Sequence, residues 1–364
     1  MPEERPPIPR RPSLIISATL AVLLFGIFAL LAEGIFRSTN LDSILHIRSL
    51  GVFHSQFEIK WFGLKDFVEE NGGVDVILLG SSMVNTGINP QILATDYKAL
   101  TGNDLRIYNF GVEGMTVYPN SKIARLLVEQ YHPGALLFVT EMRDYTAANG
   151  LEVADQFLAD EWVTARLGGK VTFRAWLKEN SALLQHILPF RNWSRADFPD
   201  TFLLSVRRFG DVSASGYEAD SKIGWKVKFP PDPNDSREKE NFAMFSNYSI
   251  DPGRLENLAE ILSLKELGTR VIITELPIYP TYFTYFGGES VHQEYLAQIA
   301  PFITAHQGVF LPPLSYKVLP VDYRVDYYHL NFKGAVRYSW LLGNQLVALC
   351  QDEGICLQRA EETP

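Results

Sequence analysis

Two short strings at opposite ends of the chain hold the residue types that acyl transfer through a serine requires. Gly80-Ser81-Ser82 closes an apolar run, and Asp326-Tyr327-Tyr328-His329-Leu330-Asn331 lies near the C-terminus. Ser82 offers a hydroxyl nucleophile, His329 an imidazole base and Asp326 a carboxylate to orient that base. The Asp-x-x-His spacing lets the carboxylate hold the ring's Nδ1–H while Nε2 faces the serine. That fixes the tautomer needed to take the serine proton and supports the imidazolium that forms. None of His46, His54, His132, His186, His292 and His306 has an aspartate at that spacing. Taken singly, each string has a plainer reading, the serines as turn and helix cap and the histidine as a loop surface residue.

The surrounding pattern supplies elements that could bring the two strings together. Residues 74–79 form a continuous apolar run ending in Gly-Ser-Ser, as a buried parallel strand does. Further strand patterns fall at 105–110, 135–140, 270–276 and 308–311, and helical patterns at 90–100, 121–131, 255–267 and 334–349. Strands alternating with helices predict an α/β fold with a parallel sheet sandwiched by helices. A helix is also expected around residues 57–70.

Residues 145–250 break this rhythm. They carry helical pieces at 154–166 and 172–188 and a polar loop at 230–240. The segment reads as a helical insertion. One placement is a cap over the C-terminal edge of the sheet, where open α/β folds hold ligands. The other is a lateral subdomain against a partner or the membrane. Tyr279, Tyr282, Phe283, Tyr285 and Phe286 follow the fourth strand; packing is their expected role, with a sugar-stacking surface as the alternative.

The N-terminus bears on location. Residues 12–32 carry no charge, long enough as a helix to span about 30 Å of hydrocarbon. Arg5, Arg10 and Arg11 precede this stretch, which places that end in the cytoplasm and the rest outside it. The apolar stretch is longer than a signal-peptide core, and no small-x-small site follows cleanly, so an uncleaved anchor is expected. The expected division is a cytoplasmic N-terminus at 1–12, an anchor at 13–36, a stalk and helix at 37–72, the α/β domain at 73–349 with its insertion, and a tail at 350–364. Cys350 and Cys356 lie in that tail; an oxidising compartment permits a disulfide between them, and two free thiols remain the alternative.

The net charge of -9 argues against non-specific nucleic-acid binding. No Cys-x-x-Cys or His-Glu-x-x-His string suggests zinc, and no Gly-x-Gly-x-x-Gly or Walker A string suggests a nucleotide. No metal and no cofactor is expected. Three Asn-x-Ser strings, at Asn192, Asn234 and Asn247, match the glycosylation pattern but are short enough to arise by chance.

Four blocks occur in order: Gly80-Ser81-Ser82-Met83, then Asn109-Phe110-Gly111-Val112-Glu113-Gly114-Met115-Thr116, then Glu141-Met142-Arg143-Asp144, then Asp326-Tyr327-Tyr328-His329. Together they resemble the SGNH (GDSL-like) hydrolase superfamily, over residues 74–144 and 255–349. The resemblance implies an SGNH-like, flavodoxin-like sheet and a triad of Ser82, His329 and Asp326. It also implies an oxyanion hole from the backbone N–H groups of Ser82 and Gly114. Ser81, Arg143 and Asn331 are expected to line the site. Ser81 replaces the family's Asp, and this Gly-Ser-Ser form resembles membrane-anchored extracytoplasmic members of cell-envelope polysaccharide O-acetylation and D-alanyl-teichoic-acid transfer systems. Arg143 stands where the family's oxyanion-donating Asn would be, as either a charged substitute donor or the partner of Glu141 or Asp144. The implied activity is a serine acyltransferase with an acyl donor and an envelope polysaccharide acceptor, working beside a multi-pass membrane acyltransferase. An acyl-ester hydrolase with the same residues, and a non-catalytic glycan-binding or scaffold domain, are the alternatives.

Overall fold

The computed structural model describes residues 14–38, 47–147, 151–219, 232, 234, 235, 238–314, 319–323 and 328–358. Its centre is a sheet of five parallel strands: β1 (Val76–Gly80), β2 (Ile107–Gly111), β3 (Ala135–Thr140), β4 (Arg270–Glu275) and β5 (Val309–Leu311). The order is β2-β1-β3-β4-β5, the flavodoxin-like order, and the sheet is flanked by helices, so the expected α/β class is what the structure shows. β1 and β3 are buried along their whole length, which is why they read as unbroken apolar runs rather than as alternation.

The order reverses at β1, which pairs with β2 on one side and β3 on the other, Gly80 lying beside both Gly111 and Val139. At such a switch point a crevice opens beyond the C-terminal ends of the two strands. The short helix α3 (Ser82–Gly87) starts there, directly after β1. Two glycines let it settle onto the strand ends. A Cβ on Gly80 would lie 2.6 Å from the Val139 carbonyl, and one on Gly111 would lie 2.3 Å from the Asn85 backbone nitrogen.

α4 (Pro90–Thr101) and the long C-terminal α14 (Phe332–Glu353) pack together, joined by the Asn89 N–H donating to the Ser339 hydroxyl at 2.8 Å. α5 (Val117–Tyr131) and α12 (Pro252–Ser263) pack as a second pair, and α13 (Glu289–Ala305) leads into β5. α2 (Ser55–Asn71) begins two residues earlier than its apolar spacing indicates, because the His54 ring accepts from the Phe57 N–H and caps it.

The insertion's first expected helical piece divides into α6 (Leu151–Leu158) and α7 (Glu161–Arg166). Asp160 restarts the chain between them by accepting from the Trp162 N–H at 2.8 Å. Phe157 and Trp162 pack on Phe57 and Trp61 of α2 in an edge-to-face cluster. The second piece divides into α8 (Phe173–Asn180) and α9 (Ala182–Ile187), followed by α10 (Phe198–Asp211) and α11 (Lys239–Phe245). After α10 the chain pairs with the free edge of β2, the Asn109 N–H donating to the Ser215 carbonyl at 2.9 Å. Much of the polar stretch at 230–240 lies outside the described residues. Its described residues therefore lie largely beside the sheet, with Val153 near Gly114 and α11 packed on Tyr285 and Phe286 after β4.

The apolar N-terminal stretch forms α1 (Leu14–Ser38), long and apolar enough to cross a membrane or act as a signal sequence. At the other end Cys350 and Cys356 are joined in a disulfide.

Candidate active site

The fold brings Ser82 and His329 together. Ser82 Oγ lies 2.7 Å from His329 Nε2, a hydrogen-bond distance between a nucleophile and the nitrogen that would take its proton. Asp326, the expected orienting carboxylate, lies outside the described residues.

Ser82 owes its position to strand β1 behind it and to a buried asparagine below it. The Asn109 side-chain amide donates to the Val84 and Ile88 carbonyls at 2.8 Å each, and its oxygen accepts from the Gly111 N–H at 2.9 Å. It thus ties the end of α3 to the end of β2. Ser81 caps α3, its hydroxyl accepting from the Met83 N–H at 3.3 Å. Gly114 sits in the loop after β2 with φ of 72°, a left-handed conformation that glycine adopts without strain. Among the described residues, the backbone N–H groups of Ser82 and Gly114 meet no acceptor.

His329 is held by the turn before α14. Asn331 is fully buried, and its side chain is committed to the backbone. Its oxygen accepts from the Lys333 and Gly334 N–H groups at 3.0 and 3.1 Å, and its nitrogen donates to the Val321 and Tyr323 carbonyls at 2.7 and 3.1 Å. It therefore positions the histidine loop rather than lining the site, as was expected of it. Asp322, buried nearby, forms an ion pair with Arg337, whose Nε lies 3.0 Å away, and accepts from the Leu319 N–H at 2.8 Å. Gly334 makes room for this packing, since a Cβ there would lie 2.2 Å from the Asp322 carbonyl.

Arg143 follows β3 in a single 3-10 turn, Met142–Tyr145. Its guanidinium pairs with Glu141 and lies over the ring of Tyr328. Burial alone would lower the Arg143 pKa, but the Glu141 charge outweighs it and holds the guanidinium protonated. Of the two expected roles, the ion pair is the one the geometry displays. Asp144 accepts from the Thr140 hydroxyl at 3.0 Å and from the Glu141 N–H at 3.1 Å.

Sequence spacing missed a second imidazole–carboxylate pair. His292 Nε2 lies 2.7 Å from Glu275 Oε2, both buried, with the Phe283 ring stacked on the imidazole at 4.1 Å. Glu275 ends β4 and His292 sits on α13, so no short motif joins them. Burial pushes the Glu275 carboxyl up, against the opposing pull of His292. Lys60 of α2 was also missed. It is fully buried, donating to the Asn109 carbonyl at 3.2 Å and to the Gly216 carbonyl, and burial lowers its pKa to about 7. Tyr282, Phe283, Tyr285 and Phe286 are all buried, which is the packing role expected of them.

No family model matches the chain, and no curated protein matches it. Among solved structures it is similar to the crystal structure of a "putative acylhydrolase" from Bacteroides fragilis, at 12% identity and a TM-score of 0.34, covering 80% of this chain and 97% of that one. Likeness at that level is too low to carry an inference about chemistry.

Proposed function

We infer that the protein is a membrane-anchored, extracytoplasmic serine acyltransferase of the SGNH-like type, acting on an envelope glycan or glycopolymer. The observation that carries this reading is the 2.7 Å approach of Ser82 Oγ to His329 Nε2 at the switch point of the sheet. His329 takes the serine proton as Ser82 attacks the carbonyl of an acyl donor. The backbone N–H groups of Ser82 and Gly114 receive the developing oxyanion. The collapsing intermediate expels the donor's leaving group, which takes the proton from His329. An acceptor hydroxyl then attacks the acyl-serine, His329 serving as base again, and Asp326 orients the ring.

Commitment of Arg143 to Glu141 lowers the expected rate of acyl transfer to water and to a hydroxyl acceptor alike. It leaves two backbone donors where the family resemblance implies three, and one such donor is worth about 3 kcal/mol in the transition state. The outward location is supported by the basic residues before α1 and by the Cys350–Cys356 disulfide, a bond that persists in oxidising compartments.

The test is labelling of the full chain in detergent with a fluorophosphonate, followed by incubation with an acetyl ester with and without a polysaccharide acceptor. Labelling that disappears in Ser82→Ala and falls sharply in His329→Ala, together with an acylated acceptor, is the expected outcome. An unlabelled wild-type chain would sink the catalytic reading and favour a scaffold. Ester cleavage that never acylates the acceptor would make the protein a hydrolase.

A further inference from the structure

We propose that the surface carried by α8, α9, α10 and the turns between them lies in the headgroup layer of the bilayer that α1 crosses. The partner is a lipid surface, and the proposal rests on the anchor reading above.

The argument starts at the end of α1. Its window of mean hydropathy 2.6 is not buried against any described part of the protein, so hydrocarbon is its natural cover. The uncharged stretch ends at Ala32, and Glu33 is the first charged residue after it. Glu33 is built into the insertion. Its carboxylate accepts from the Ser181 hydroxyl at 2.7 Å and from the Ala182 and Leu183 N–H groups at 2.8 and 3.2 Å, capping the start of α9. Arg37, one turn on, donates to the Asn180 carbonyl at the end of α8, and the Phe36 ring stands 5.4 Å from His186.

These contacts fix a height. A helix rises about 1.5 Å per residue, and each headgroup layer is about 5–8 Å thick. The junction of α8 and α9 therefore lies within a headgroup thickness of the last apolar turn of α1. Cleavage beyond α1 would also leave the Ala182 and Leu183 N–H groups at the start of α9 without their acceptor.

The composition of the same segment fits that depth. Outside α1, seventeen described large apolar residues are exposed, and nine of them fall between positions 171 and 206. Phe173 and Trp193 are 73% and 74% exposed, and Trp176, Ile187, Leu203 and Leu204 are more than half exposed. Scattered exposed apolar side chains are ordinary, but this concentration is not. Tryptophan favours the interface, where its ring is covered while its N–H stays wet. Residues 161–211 also carry eight Lys and Arg against five Asp and Glu, inside a chain of net charge -9. That local excess of positive charge suits anionic headgroups. The consequence is mechanical: the sheet is held at a fixed height and tilt over the membrane instead of swinging on a stalk.

The test uses the full chain in vesicles of phosphatidylcholine and phosphatidylglycerol, its own cysteines being held in the disulfide. Spin labels are placed through Trp193→Cys, Phe173→Cys and, as a reference on α14, Trp340→Cys. Depth is read from relative accessibility to oxygen and to a water-soluble nickel chelate. The expected result is preferential oxygen access, at headgroup depth, for labels at positions 193 and 173, and water-like access at 340. Labels at 193 and 173 that match 340 would overturn the proposal. So would shielding from both reagents, which would mean that protein, a partner or a second copy, covers this face. Failure of the anchor reading is seen separately, as release of the chain from the vesicles by alkaline carbonate, and it removes the proposal with it.

Discussion

Arg143 lies over the ring of Tyr328, its guanidinium carbon 4.6 Å from the centroid, and that ring stands 4.4 Å from the imidazole of His329. Tyr282 packs on Tyr328 from the β4 side at 4.9 Å. The residue preceding the proposed base is thus wedged between the loop after β3 and the loop after β4. Arg143 belongs to the support of the base as much as to the crevice beside it.

That arrangement predicts a paired mutational effect. Arg143→Gln leaves the buried Glu141 carboxylate without its counter-charge and should lower stability by about 3–5 kcal/mol. Adding Glu141→Gln removes the stranded charge and should recover most of that loss. Thermal unfolding of both variants in the same detergent checks it. A double variant no more stable than the single one would show that packing on Tyr328, not charge, dominates.

Asn109 gives a sharper link between fold and site. Asn109→Ala strands the Ile88 carbonyl and the Gly111 N–H in a dry interior and leaves the Val84 carbonyl with the Ile88 N–H alone. A loss of about 3 kcal/mol or more is expected, at about 1–3 kcal/mol for each buried group left unpaired. Because α3 carries Ser82, reaction of the serine with a fluorophosphonate should slow at temperatures where the variant is still folded. Rates equal to wild type there would separate Asn109 from the placement of Ser82.

The sheet was legible because buried parallel strands write themselves as apolar runs, and the loops after β1, β2 and β3 carried recognisable blocks. The insertion was less legible. Its two helical patterns each break where a side chain offers the backbone a cap, at Asp160 and at Ser181, and apolar spacing runs through such breaks. The Glu275–His292 pair joins a strand end to a helix by a path that no local spacing encodes. Lys60 falls within the helix expected at 57–70, and its burial depends on the 213–218 turn folding over the edge of β2. Asn331 has the same cause in reverse: it sits beside the histidine in sequence, but its amide turns inward to the backbone.

Lys60 makes a pH prediction. Its pKa falls from 10.5 in the unfolded chain to about 7 in the folded one, mainly through burial. Between those values the unfolded chain holds a proton that the folded chain lacks, so stability from this group rises with pH across the window, by up to about 1.4 kcal/mol per unit. Below pH 7 both states are protonated and the full penalty stands. Lys60→Met removes this dependence. The stability of wild type minus that of the variant should therefore grow by about 1–3 kcal/mol between pH 7 and pH 9. Unfolding midpoints at several pH values check it; a difference that stays flat or shrinks would show that Lys60 keeps its proton.

The adjacent serines offer the most discriminating experiment, because the structure gives them different tasks. Ser82 Oγ meets His329, whereas Ser81 Oγ accepts from the Met83 N–H at the start of α3. Ser82→Ala should lower turnover of an activated acetyl ester by at least about a thousandfold. It should leave the unfolding midpoint nearly unchanged, since one side-chain hydrogen bond at a partly exposed site is lost. Ser81→Ala should do the converse: about 1 kcal/mol of stability goes with the cap, and turnover falls less than tenfold. The two variants therefore cross on a plot of activity against stability. If Ser81→Ala proved the inactive one, the nucleophile would be misassigned by one residue. If both lost activity without losing stability, the hydroxyl of Ser81 would belong to the chemistry rather than to the helix.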